Sequence, residues 1–292
     1  MPASRDWAVG LVLVACAVAL VVHLSATDAE FSRHNPSWNG SSSFYDALEA
    51  RGAVEVGDPA DLAGRTGSTL LVVAPSVAPG AADAARYREF VRSGNTLVLL
   101  DDFASGNGLL DAVGATMRFD QRGVLSLERA YELPDAPLGY PVAGAALAEN
   151  LSAVVFNRPV AVTGGAPLLE TSPLSWIDSD GDGVPALDEP FGRYALAASE
   201  RVGAGTVVAV GDASLVINAM QNLREGDNAR LLARLAPDGV LVDGRLGRTA
   251  AADGPVGTVL WLQERPFISI AVIALALAAL ALRQERRRVS GA

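Results

Sequence analysis

Apolar positions follow two patterns along this chain. Near each end lies a long uninterrupted run, and between the runs short β-branched stretches alternate with amphipathic ones. Residues 7–24 (WAVGLVLVACAVALVVHL) carry no formal charge. At ~1.5 Å per residue they would cover ~27 Å, close to the ~30 Å hydrocarbon core of a bilayer. Residues 267–282 (FISIAVIALALAALAL) are equally apolar, and their ~24 Å falls only a little short, a gap that local thinning and snorkelling arginines absorb. Both runs are expected to be transmembrane helices. The first exceeds the ~7–15 apolar residues of a cleavable signal. Arg5 precedes it, and Arg283, Arg286, Arg287 and Arg288 follow the second. Positive charge next to a span stays on the cytoplasmic side. The expected layout is a cytoplasmic N-terminus (1–6), a transmembrane helix (7–25), an extracytoplasmic α/β domain (26–265), a second transmembrane helix (266–282) and a basic cytoplasmic tail (283–292). The protein would cross the cell membrane twice and contact the lipid bilayer.

The middle carries a different rhythm. Thr69–Ser76 (TLLVVAPS) and Asn95–Asp102 (NTLVLLDD) are short apolar runs bounded by turn residues, the mark of buried strands. Ala81–Ser93 between them reads as a helix that Gly94 stops. Leu109–Val113 begins another short helix, Thr206–Val210 is a further strand, and Asn228–Leu235 is the helix behind it. Strand, helix, strand at this spacing implies parallel pairing through right-handed crossovers. From about 118 to 200, short β runs such as Val154–Phe156, Val160–Thr163 and Tyr194–Ala198 are punctuated by Pro and Gly. The expected fold is therefore α/β and flavodoxin-like, with a mostly parallel sheet flanked by helices, an antiparallel β elaboration of that same sheet, and the two terminal spans.

Charge and cysteine usage narrow the chemistry. The net charge is −10 and all 23 basic residues are arginine. Nucleic-acid binding needs clustered positive charge to displace counterions, so it is excluded as the expected role. The lone cysteine, Cys16, sits in the first apolar run. An internal disulfide is impossible, and no thiol nucleophile is available to the domain.

The sharpest motif is Asp178-Ser179-Asp180-Gly181-Asp182-Gly183-Val184-Pro185-Ala186-Leu187-Asp188-Glu189. Its spacing fits the calcium-loop pattern D-x-D-x-D-G-x5-E. Carboxylates at alternate positions converge on one hard cation, Gly183 permits the sharp turn, the Val184 carbonyl adds an oxygen, and Glu189 closes the shell. The flanks read as strands, not EF-hand helices. A structural Ca2+ held by Asp178, Asp180, Asp182, Val184 and Glu189 is weighed against a solvated acidic hairpin tip. Asp212, Ser214 and Asn218 follow the strand ending at Val210, where ligands bind in open α/β sheets. Helix capping is the competing account of those three. Ser105-Gly106-Asn107-Gly108 reads as a plain turn, because Asp101 and Asp102 beside it would repel an anion. Asn39 and Asn150 head glycosylation sequons.

Several of these features occur together, in order: Pro36 to Ser43 (PSWNGSSS) leading into the helix Tyr45–Ala50, the strand at 69–76, Gly94 to Val98, Asp101-Asp102, and Gly211 to Ser214 with Asn218. In this the chain resembles the membrane proteins grouped as domain of unknown function 4350, over roughly residues 34 to 240. The resemblance implies a fold similar to the glutamine amidotransferases. It also implies membership of a membrane-associated assembly, since the family's genes often lie beside those for MoxR-type ATPases and von Willebrand-like proteins. Amidotransferase chemistry needs a Cys nucleophile oriented by His. The matching turn here, Asp101-Asp102-Phe103-Ala104, has no Cys, and the domain's one histidine is His34. The expected function is a non-catalytic, membrane-anchored subunit whose outward domain binds a partner protein or small ligand. The alternative is an extracytoplasmic hydrolase-like enzyme using Asp212 and Ser214 or a bound metal.

Overall fold

The computed structural model describes residues 30–221, 223 and 225–248, together with Gly10 and Val14. The two terminal apolar runs lie outside the described residues. Residues 28–250 form one compact unit.

In chain order the elements are α1 (Ser42–Ala50), β1 (Val54–Val56), β2 (Thr69–Val73), α2 (Ala81–Arg92), β3 (Thr96–Leu100), α3 (Asn107–Val113), β4 (Arg118–Ser126), β5 (Leu138–Pro141), β6 (Val154–Val155), β7 (Val160–Thr163), β8 (Ala166–Glu170), β9 (Ser175–Ile177), β10 (Ala195–Val202), β11 (Gly205–Val210), α4 (Asn218–Gln221), α5 (Asn228–Leu235) and β12 (Leu241–Asp243). Short 3-10 turns intervene at Pro59–Leu62, Ala146–Ala148 and Ala213–Val216.

Nine strands make one sheet in the order β1-β12-β2-β3-β11-β10-β8-β5-β6, and β7-β4-β9 make a second. The five strands from β1 to β11 pair in parallel. The remaining pairings in the large sheet, from β11 through β10, β8 and β5 to β6, are antiparallel. This corrects the expected fold. The sheet is mixed in equal measure, not mostly parallel, and the fold is not flavodoxin-like. The segment from about 118 to 200 builds four of the nine strands of the large sheet and, through β4, β7 and β9, a sheet of its own. Helix content among the described residues is low: the longest helix, α2, has 12 residues, and α3 has only seven. Among the described residues no helix is long and apolar enough to cross a membrane. The physical reason for the mixture is that helices span the crossovers from β2 to β3 (α2) and from β11 to β12 (α4 and α5), whose strands run parallel, while α3 leads out of this sheet into β4. In the 118–200 segment Pro and Gly turns let strands return directly, which favours antiparallel pairing.

Past their opening threonines the central strands β2, β3 and β11 are apolar throughout, because both faces are covered. Leu71, Val73, Val98, Leu100, Val208 and Val210 point to one face, where Phe44 and Leu48 of α1 and Leu231, Leu232 and Leu235 of α5 pack. Leu70, Val72, Leu97, Leu99, Val207 and Ala209 point to the other. There they meet Tyr87, Phe90 and Val91 of α2, Leu109, Leu110 and Val113 of α3, and Phe119, Val160 and Val162 of the small sheet. Gly114, at φ 86°, ends α3 in the left-handed conformation and satisfies the carbonyls of Leu110 and Asp111.

Candidate functional site

Two places concentrate polar chemistry: the carboxyl edge of β3 and β11, and the acidic loop between β9 and β10.

At the carboxyl edge, Asp101 and Asp212 are fully buried. The Asp101 carboxylate accepts the amides of Gly106 (2.7 Å) and Phe103 (3.1 Å) and the Ser105 hydroxyl (3.3 Å). It thereby shapes the turn that opens α3. Asp212 accepts the Ser214 amide (2.6 Å), which caps the 3-10 turn, and the Asn157 amide (2.7 Å), which ties in the segment between β6 and β7. Burial pushes both carboxyls upward, against the pull of those amides. Asp102 is raised further, first by burial and then by the charges of Asp212 and Asp101.

The three ligand residues expected here have structural partners. Ser214 is buried and its amide is spent on Asp212. Asn218 is a bolt: its Nδ2 donates to the carbonyls of Asn35 (3.0 Å) and Ser37 (2.7 Å), and its Oδ1 accepts the Ser43 amide (2.9 Å). It fixes the Pro36–Ser43 loop onto α4. His34, the one imidazole expected near a serine, lines a separate cavity of about 320 Å³ with Arg33, Tyr45 and Glu55, away from Asp212 and Ser214. Asn39 is half-buried and accepts the Asn35 side-chain amide at 3.0 Å, whereas Asn150 is exposed.

The acidic loop has a different construction. Asp178, Asp180 and Asp182 each offer a carboxylate oxygen, all within 4.8 Å of one another. Asp178 accepts the Gly181 amide (2.8 Å) and the Gly183 amide (3.2 Å), and Asp182 accepts the Val184 amide (2.7 Å). Gly181 and Gly183 have φ of 80° and 75°, which ordinary side chains resist. Glu189 departs from the expected closing role. It is buried, and its two oxygens accept the amides of Ser179 and Ala186, so it holds the loop shut from beneath. Crowding has an electrostatic signature. The Asp182 amide lowers the pKa of Asp180, but partial desolvation and the charges of Asp182, Glu189 and Asp178 outweigh it, and the carboxyl titrates above its ordinary range. A divalent cation relieves such crowding, and three carboxylates with a further backbone oxygen suit a hard one.

Large apolar side chains stand in the open on the loop and beside it. Leu187 is completely exposed, and Val184, Phe191 and Leu133 are exposed by half or more. Beside the loop lies a cleft of about 480 Å³ lined by Leu125, Leu133, Pro134, Asp135, Asp178 and Asp182.

These features define a mixed α/β domain that offers one crowded carboxylate loop and one buried carboxyl edge. The chain belongs to the family described as Domain of unknown function (DUF4350), which matches residues 33–236. No curated protein matches it. Among solved structures it is similar to the "mmIFT52 N-terminal domain" at 14% identity and a TM-score of 0.49, covering 66% of this chain and 86% of that one. It is also similar to a polyextremophilic β-galactosidase from the Antarctic haloarchaeon Halorubrum lacusprofundi, at 20% identity and a TM-score of 0.38, over 67% of this chain and 26% of that one. A β-galactosidase from Bacillus circulans sp. alkalophilus matches at 15% identity and a TM-score of 0.29, over 53% and 22%. At these scores the likenesses assign neither activity nor an amidotransferase-like fold.

Proposed function

We propose that this chain is a non-catalytic binding subunit, held at a membrane, whose domain engages a partner protein through a calcium-ordered loop. The observation that carries the reading is the convergence of the Asp178, Asp180 and Asp182 carboxylates to within 4.8 Å of one another, beside large exposed apolar side chains. A cation there would neutralise the crowded carboxylates and stiffen the segment that displays Val184 and Leu187. Stiffening before docking reduces the ordering cost of association. Exposed apolar residues around a cleft are the usual raw material of a protein interface. The membrane location rests on the apolar runs at 7–24 and 267–282, and an assembly partner such as a MoxR-type ATPase system remains part of the proposal.

The hydrolase alternative is the weaker reading. Asp212 and Asn218 are spent on holding backbone, and the Ser214 amide is spent on Asp212. The test is crosslinking in intact cells with a tagged full-length chain, in calcium and in a chelator. A partner recovered with calcium, and lost with chelator or with Leu187→Ser, supports the subunit reading. A chain that always runs alone sinks it.

A further inference from the structure

A second device lies at the carboxyl edge, away from the acidic loop. β3 and β11 pair in parallel with Leu100 beside Val210, and the Asp101 amide continues the ladder to the Val210 carbonyl at 3.0 Å. Asp102 and Asp212 each lie two residues beyond this matched pair, and the Asp212 charge acts on Asp102. Their hydrogen bonding is unequal. Asp212 collects the amides of Asn157 and Ser214, which favour its charged form. The Asp102 Oδ1 is buried with no hydrogen-bond partner among the described residues.

We propose that Asp102 and Asp212 form a proton-sharing carboxyl pair, with the proton on Asp102, that latches the sheet edge to the Asn157 segment and loosens it as the environment turns alkaline. Two like charges at neighbouring strand ends, Asp212 fully buried and Asp102 partly so, cannot both ionise cheaply, so the better hydrogen-bonded one keeps the charge and the other keeps the proton. The other charged groups facing the pair are Asp101 on the same turn, Glu30 from the preceding segment and Arg248 from the segment after β12. Glu30 and Asp101 add to the cost of ionising Asp102. Arg248 acts on Asp101, and its guanidinium lies 3.9 Å from the Phe103 ring centroid. When Asp102 loses its proton, repulsion falls on Asp212, the group that holds the Asn157 amide, so the strap between β6 and β7 is what gives.

The test uses the full-length chain. Infrared difference spectra between about pH 6 and about pH 9 should show loss of one protonated-carboxyl C=O band, and Asp102→Asn should remove that band. Hydrogen exchange, corrected for the intrinsic rate, should show at least about tenfold lower protection of the Asn157 segment at the alkaline end in the parent and none of that loss in Asp102→Asn. Asn is isosteric with a protonated Asp, and the variant should fold. If the neutral-pH spectrum holds no protonated carboxyl, or Asp102→Asn exchanges with the parent's pH profile, the proposal is overturned.

Discussion

Replacing Asn218 with alanine separates two accounts of that residue: ligand contact, or bolt between the Pro36–Ser43 loop and α4. Truncation removes the hydrogen bonds to the Asn35 carbonyl at 3.0 Å, the Ser37 carbonyl at 2.7 Å and the Ser43 amide at 2.9 Å, together with a longer one to the Ser42 hydroxyl at 3.2 Å. Each neutral bond contributes about 1 kcal/mol net, and a buried group left unpaired costs about 1–3 kcal/mol. Asn35 is buried, whereas Ser37 is exposed and can turn to water. The loss should thus be about 3–4 kcal/mol. For a unit of this size that lowers the melting temperature by roughly 6–16 °C. Asn218→Asp should cost at least as much at neutral pH, because a carboxylate oxygen would then face two carbonyls. The assay is thermal and urea unfolding of the full-length chain, followed by near-ultraviolet circular dichroism, beside the parent. Unfolding of Asn218→Ala within about 0.5 kcal/mol of the parent would refute the reasoning, since surface substitutions fall in that range.

Other predictions follow from the same kind of accounting. Tyr87→Phe removes a buried hydroxyl that donates to Asp243 at 2.5 Å and should cost about 1–3 kcal/mol in urea unfolding. Gly211→Ala would set a Cβ 2.0 Å from the Val160 carbonyl oxygen; backbone cannot yield cheaply there, so soluble yield and melting temperature should both fall sharply. The Asp227 carboxyl is held below its ordinary range, first by the Ser152 amide and then by Arg230. A depressed folded pKa gives stability that is present above the unfolded value and lost as pH falls through the folded one, so Asp227→Asn should narrow the gap between neutral and acid unfolding midpoints. Asp102 has the opposite sign: its folded pKa is raised. Its stability is full below the ordinary carboxylate range and is lost progressively as pH rises from there to the folded value of about 8, so Asp102→Asn should flatten the decline across that acid-to-neutral window.

The core strands were legible because their signal is local. β2, β3 and β11 are apolar at every buried position, and Val160–Thr163 and Asn228–Leu235 fall where the patterns put them. The three-residue strands β1, β9 and β12 are too short to carry a period, and Asp243 at the end of β12 looks polar until the Tyr87 hydroxyl explains it. The same locality divides the sites. The carboxylates of Asp178, Asp180 and Asp182 meet because they are alternate residues of one turn, so spacing alone anticipates them. The role of Glu189 was not legible, since it depends on the loop closing over the amides of Ser179 and Ala186. Nor was the pairing of Asp102 with Asp212, which exists only because β3 and β11 are neighbours in one register.

The central claim is that the acidic loop takes calcium, and Trp176, just before it in β9, supplies the antenna. Titration of the full-length chain with terbium, exciting tryptophan, should give saturable sensitised luminescence that calcium displaces and that Asp180→Asn with Asp182→Asn abolishes. Emission that never saturates, or that persists unchanged in the double variant, would contradict the account.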